Sequence, residues 1–163
     1  MKILGRPAVL RTLMVGLLAV APTVWTASPA SASSIITCTR GTAPQISGPS
    51  SPGTHTENGY FTCNVNPMTN GVTSMTQNLA AQYTGTEWPC TTFPINLSTA
   101  YQQQSAAWTA SGNLDCYGTY RPTETLTLNG TFTYGSVAGC GRTSSTQVQC
   151  SWVGPTYAIP RPV

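Results

Sequence analysis

Lysine is almost missing from this chain. Lys2 is the only one, and charged residues of all kinds make up 7 % of 163 positions. That removes Schiff-base chemistry and lysine general bases. Histidine is as scarce, with His55 alone. A Ser-His-Asp or Cys-His site needs an imidazole to take the proton, so every such site would have to be built on that one ring. No Gly-x-Ser-x-Gly elbow, no Cys-x-x-Cys or His-x-x-x-His spacing and no glycine-rich phosphate loop occurs. A zinc hydrolase needs about three protein ligands, and the sequence offers no recognisable set. Neither metal nor cofactor is expected.

Long apolar runs are also lacking. The longest, Leu13 to Ala21, is too short to span a bilayer, which takes roughly 20 residues, and Pro22, Thr23 and Thr26 follow it at once. Lys2, Arg6 and Arg11 precede it, and Ala30-Ser31-Ala32 follows as a small-residue cleavage pattern. Residues 1–32 therefore read as a signal peptide, and 33–163 as a single secreted domain with no membrane association after cleavage. The three leader cations account for the net charge of +3. What remains is Arg40, Arg121, Arg142 and Arg161 against Glu57, Glu87, Asp115 and Glu124. A nucleic-acid binder carries a basic stripe, because phosphate neutralisation supplies much of its affinity. None is present, so a nucleic-acid partner is not expected.

Six cysteines, Cys38, Cys63, Cys90, Cys116, Cys140 and Cys150, all lie after the leader. An even count in a short exported chain implies a disulfide framework. Six allow fifteen pairings; the favoured one is sequential, 38–63, 90–116 and 140–150, with the last closing a hairpin.

The remaining pattern is β. Glu124 to Tyr134 alternates on both sides of Asn129-Gly130 and predicts a hairpin with Leu126 opposite Phe132 and Thr125 opposite Thr133. Ten residues from Thr54 to Cys63 repeat that pattern faintly and place His55 inward, across from Phe61. If the strand reaches Glu57, that carboxylate shares the face. Residues 73–83 and 100–108 fit helix or strand, and the surrounding turn signals favour strand. With 113–120 and 146–153 these make about seven to nine short strands, which suggests a disulfide-stapled immunoglobulin-like β-sandwich. Ser47 to Gly53 is a long irregular turn. The final stretch from Ala158, with two prolines, should trail or lie along an edge.

The leader, the lysine-poor and threonine-rich composition, and the run Cys90 to Tyr120 ending in Asp-Cys-Tyr-Gly-Thr-Tyr resemble small secreted proteins of Gram-positive, actinobacterial-type bacteria, which are largely uncharacterised. A more distant resemblance is to the enediyne-carrier apoproteins. These too are secreted, charge-poor and sandwich-folded, but they typically have two short disulfide loops, from which six cysteines depart. Neither resemblance transfers a functional residue.

The function expected from the inventory is a non-enzymatic binding or envelope-associated module. Its partner would be an extracellular polysaccharide or a protein. Trp88 beside Glu87 is the candidate stacking site for sugars, since aromatic faces supply much of the contact energy there; Trp108, Trp152 and Tyr157 are further candidates or else core. An alternative is a serine-protease inhibitor presenting Arg142 on the Cys140–Cys150 loop, where preorganisation lowers the ordering cost of docking. A third is a small hydrolase, either a glycosidase using two of the four carboxylates or a ribonuclease using His55, Glu57 and an arginine. Thr-x-Thr recurs at 37–39, 54–56, 84–86, 123–127 and 131–133. A surface-matching face needs regular stacking, and along the chain these pairs are irregularly spaced.

Overall fold

The computed structural model describes residues 34–163, so the expected signal peptide over 1–32 and its expected cleavage point lie outside the described residues. Those described fall in one compact unit, Ala32–Val163. No helix among them is long and apolar enough to cross a membrane.

Ten strands follow in order: β1 (Cys38–Thr39), β2 (Gln45–Ser47), β3 (Gly53–Cys63), β4 (Val72–Tyr83), β5 (Ile95–Tyr101), β6 (Ser105–Leu114), β7 (Gly118–Gly130), β8 (Cys140–Ser144), β9 (Gln147–Val153) and β10 (Tyr157–Ile159). A single 3₁₀ turn, Pro67–Thr69, precedes β4. In one sheet β3 has β1 and β2 along one edge and β6 along the other. The second runs β5-β4-β7-β9-β8, with β10 beside the start of β7. Packed together, they form a disulfide-stapled β-sandwich.

The strand order is immunoglobulin-like. β9-β7-β4-β5 follows the G-F-C-C′ order of such sandwiches, and the opposing sheet supplies their A, B and E strands. A local feature of those folds is also present. Tyr120, near the start of β7, turns its hydroxyl back onto Cys116, donating to the carbonyl at 2.9 Å and accepting from the amide at 3.1 Å.

Alternation explains why the long strands form. On β7, Tyr120, Pro122, Glu124, Leu126 and Leu128 are buried, and the residues between them face outward. On β3 the buried set is His55, Glu57, Gly59, Phe61 and Cys63, so the inward placement of His55 and Glu57 holds. The expected hairpin does not form. β7 continues straight through Leu128 and Asn129, and its neighbours are β4 and β9 (Leu126 opposite Gln77 and Cys150). A central strand flanked on both edges buries more than a two-stranded ribbon, so the same alternation is used by long-range partners. Gly130 serves a close approach instead of a turn: its φ is +143°, and a Cβ there would lie 2.2 Å from the Gly71 carbonyl oxygen. Likewise β3 runs unbroken through Asn58-Gly59. A Cβ on Gly59 would press on Trp108 Nε1 at 2.8 Å and Gln77 Nε2 at 2.9 Å, so that glycine makes room between the sheets.

Residues 73–83 form a strand, as expected, whereas 100–108 holds the turn between β5 and β6, and 113–120 holds the corner between β6 and β7. The C-terminal segment lies along β7 as β10. All three disulfides are the sequential ones. Cys38–Cys63 and Cys140–Cys150 join directly opposed residues of neighbouring strands. Cys90–Cys116 ties the segment after β4 to the β6–β7 corner.

The interior has two apolar clusters. One gathers Phe61, Met75, Leu126, Leu128 and Val148; the other gathers Leu79, Ile95, Leu114, Tyr120 and Ile159. Along β4 and β7 the residues that separate them are Gln77 and Glu124, both fully buried. The core is interrupted by a polar layer.

Candidate functional sites

Arg40 supplies the cation of that layer. Its side chain is 3 % exposed, and its guanidinium is ion-paired with the Glu124 carboxylate. It also donates to the Thr42 carbonyl and, at 2.7 Å, to the Asn58 carbonyl. Glu124 further accepts from the Gln77 amide and from the Tyr60 backbone N–H at 3.3 Å. Gln77 in turn accepts from the Trp108 indole N–H at 2.9 Å. Trp108 is thus half-buried and committed to the interior. Burial lowers the Arg40 pKa, and the Glu57 carboxylate opposes that shift.

Glu57 is fully buried as well, yet neither oxygen has a hydrogen-bond partner. Desolvation pushes its pKa up to about 8. Arg40 and the Thr123 backbone pull the other way more weakly, and neither reaches regular hydrogen-bond geometry with it. With Arg40 already paired to Glu124, a second ionised carboxylate would be uncompensated, so Glu57 is predominantly protonated at neutral pH.

This layer bears on the hydrolase alternatives. Glu57 and Glu124 come together around Arg40, but both are sealed from solvent and from any polymeric substrate. Glu87 and Asp115 lie elsewhere: Glu87 is ion-paired with Arg161, and Asp115 accepts from Asn113 and, at 3.4 Å, from Thr91. His55 has Nδ1 2.7 Å from the Gly53 carbonyl and Nε2 2.9 Å from the Pro49 carbonyl. Its ring meets Tyr157 edge-on at 5.4 Å, and the Tyr157 hydroxyl donates to the Gly48 and Pro49 carbonyls. Both ring nitrogens are engaged with backbone, so His55 fastens the β2–β3 loop and leaves no nitrogen facing a substrate.

Arg142 does not project from its loop. It donates to the Ser145 carbonyl at 3.1 Å and the Phe132 carbonyl at 2.6 Å, and its guanidinium lies 5.7 Å from the centre of the Phe132 ring. An arginine meant for an acidic specificity pocket would have to leave these contacts. A separate groove of about 370 Å³ has Arg40, Ser151 and Trp152 among its walls.

The Trp88–Glu87 region is more open. Trp88 is 91 % exposed, the most exposed aromatic side chain described, and Phe93 is 46 % exposed. Glu87, Tyr83, Tyr117, Ile159 and Arg161 border a cavity of about 480 Å³ at this pole of the sandwich. Three elements fix it: the Cys90–Cys116 bridge, the pairing of β10 with β7, and the Tyr83 hydroxyl donating to the Tyr117 carbonyl at 3.3 Å. Glu87, Cys90 and Cys116 also bring three potential metal-ligand atoms within 4.8 Å of one another. Both sulfurs are in a disulfide, however, and a thiolate is the species that ligates metal. Only the carboxylate remains.

Sequence reasoning singled out Trp88 and Glu87 as candidates, and the structure leaves Trp88 exposed; the same reasoning did not point to the Arg40–Glu124–Gln77 layer. The signal was present. Glu124 is in phase with Leu126 and Leu128, and Gln77 with Met75 and Leu79, so both fall at inward positions of otherwise apolar alternations. Comparison with protein-family models, curated proteins and solved structures returns no match.

Proposed function

We propose that this chain is a secreted, non-enzymatic binding module that takes an uncharged glycan at the Trp88 pole. The observation that carries the reading is a bare indole next in sequence to a residue bordering a rigidly held polar cavity. Aromatic side chains offer a large apolar contact area with a fixed shape and commonly line ligand sites. Covering one indole face removes on the order of 100 Å² from water, worth about 2–3 kcal/mol.

Other features agree with it. All six cysteines are closed in disulfides, as suits an oxidising extracellular compartment. Arg40, Arg142 and Arg161 are each tied to acceptors within the protein, and among the described residues Arg121 alone of the arginines stands exposed without such a tie, which disfavours a polyanionic partner and favours a neutral one. Binding of this kind requires no cofactor. The test is calorimetric titration of neutral oligosaccharides into the domain and into Trp88→Ala. The truncation should weaken binding by roughly 30- to 150-fold with the thermal transition unchanged. Equal affinity in the folded variant would refute the assignment.

A further inference from the structure

Adjoining rows on the outer face of the larger, six-stranded sheet form a grid without charge. Across β5, β4, β7 and β9, Ser98, Asn78, Thr125 and Ser151 stand side by side in one row. The next row toward the other end contains Thr76, Thr127 and Gln149, and beyond it come Ser74, Asn129 and Gln147. On the other side of the first row come Asn96, the buried Ala80, Thr123 and the exposed Val153, where the polar array ends. Of the Thr-x-Thr runs only 123–127 lies on this face, and its lateral neighbours are mostly Ser, Asn and Gln from the adjoining strands. Arg121, opposite Gln82, is the charged residue nearest this array, one outward position beyond Thr123 at the polar end of β7.

Solvent-facing sheets normally carry interspersed Lys, Arg, Glu and Asp for solubility, and edge strands carry lysine to prevent pairing. These rows have none, although the chain does possess charged residues. Apart from Arg121 beyond Thr123, those are placed in the interior, at the Trp88 pole or folded onto the Phe132 carbonyl. The side chains are short and partly fixed by one another. The Asn78 amide donates to Asn96 at 2.9 Å and to Ser98 at 3.0 Å, Gln147 donates to Asn129 at 2.9 Å, and Asn129 donates to Ser74 at 3.1 Å. Little rotamer entropy is then lost on contact, and no ion has to be desolvated.

We infer that this face is a docking surface for the flat, uncharged, hydroxyl-bearing surface of an insoluble polysaccharide. The inference rests on the neutral-glycan reading above and adds a second contact region to it. Charge selects the partner: anionic wall polymers and nucleic acids need cations that the grid lacks, whereas a neutral hydroxylated solid matches its alternating donors and acceptors. Its extent is about 20 Å by 20 Å from strand spacing and rise, which is small for a specific interface. Binding is therefore weak per molecule and suited to adsorption on a repeating surface. The opposite sheet is also poor in charge, but it has only two long strands, and Tyr60, 39 % exposed, interrupts its centre.

Adsorption isotherms on microcrystalline cellulose and on chitin test this. They are measured in about 0.1 M and about 1 M salt for the native domain, for Thr125→Glu/Thr127→Lys on the grid and for Thr56→Glu/Ser111→Lys on the opposite face. Both double variants preserve net charge, and circular dichroism confirms their fold. The native domain should adsorb to at least one solid with little salt dependence. The grid variant should lose at least about tenfold, or 1.4 kcal/mol, and the opposite-face variant nothing. The grid variant must also retain soluble-oligosaccharide affinity, which separates this surface from the Trp88 pole. Undiminished adsorption by a folded grid variant, loss confined to the opposite-face variant, or salt-reversible binding would each overturn the inference. So would grid-dependent dimerisation in its place. Retained oligosaccharide binding without adsorption would overturn this inference alone, and loss of both ligands from Trp88→Ala with the grid variant unaffected would do the same.

Discussion

Replacing Glu57 with glutamine should remove a pH dependence of stability that the native protein carries between the acid and mildly alkaline ranges. The unfolded chain releases the Glu57 proton near 4.5, whereas burial holds it in the fold to about 8. Between those values the native state binds one proton more than the unfolded state. Unfolding free energy therefore falls with rising pH, by about 1.4 kcal/mol per unit. The sign is opposite to that of a salt-bridged carboxylate: the proton-linked stability is fully present below about 4.5 and lost progressively as pH rises to about 8. Over the whole interval the loss is on the order of 5 kcal/mol, an upper bound because local opening can admit water.

Glutamine copies the shape of the protonated acid but cannot ionise. Its own packing shifts stability by a constant, so the informative quantity is the native-minus-variant difference as a function of pH. Titrations common to both proteins cancel in it. Urea denaturation at fixed ionic strength, at half-unit steps from about pH 3 to 9.5, gives that difference directly. It should decline steadily and level off above about 8. Because the group is buried, salt should change the slope little. A flat difference would refute the buried-acid assignment. A difference that rises with pH would mean that Glu57 is ionised in the fold and that Arg40 stabilises it.

The Arg40–Glu124 pair should behave non-additively. Arg40→Met alone strands a buried carboxylate and should cost roughly 3–5 kcal/mol, while adding Glu124→Leu should restore much of it, as a double-mutant cycle in urea would measure. The Cys140–Cys150 bridge closes a short loop, so Cys140→Ala/Cys150→Ala should lose about 2–3 kcal/mol by chain-entropy reasoning, read from denaturant midpoints. An unchanged midpoint would show that β8 and β9 hold without the bridge.

The sandwich and its disulfides were legible because they depend on period-two alternation and on an even cysteine set with short sequential spans. Partner choice was not. Asn129-Gly130 and Asn58-Gly59 have good turn chemistry, yet each sits in or at the end of a long strand, because the glycines are needed for close approach. Pairing β7 with β4 and β9 brings together residues about 50 and 25 positions apart on the two sides, and a local pattern carries no information about such partners. Trp88 was legible as a site candidate because it precedes a proline in a turn-rich stretch. The polar layer escaped because Arg40, Gln77 and Glu124 come from three separate segments, none of which is distinctive alone.

The placement of charge then links the interior to the faces. A buried ion pair is weak support for stability, since desolvation offsets much of its attraction. It is a stronger determinant of register. Sliding β7 by one residue would turn Glu124 outward and leave Arg40 without its carboxylate, while Thr125 would enter the core. Threonine-rich β7, whose one outward charge is Arg121 near its start, lacks most of the usual safeguards against slippage, since its other outward side chains resemble one another. An inward glutamate and arginine supply that discrimination from the other side of the sheet. The same arrangement frees the outer face to stay neutral, because register no longer depends on cross-strand charge pairs there. A polar layer within the core and a grid of uncharged outward rows are thus two consequences of one distribution of the eight charged residues between 33 and 163.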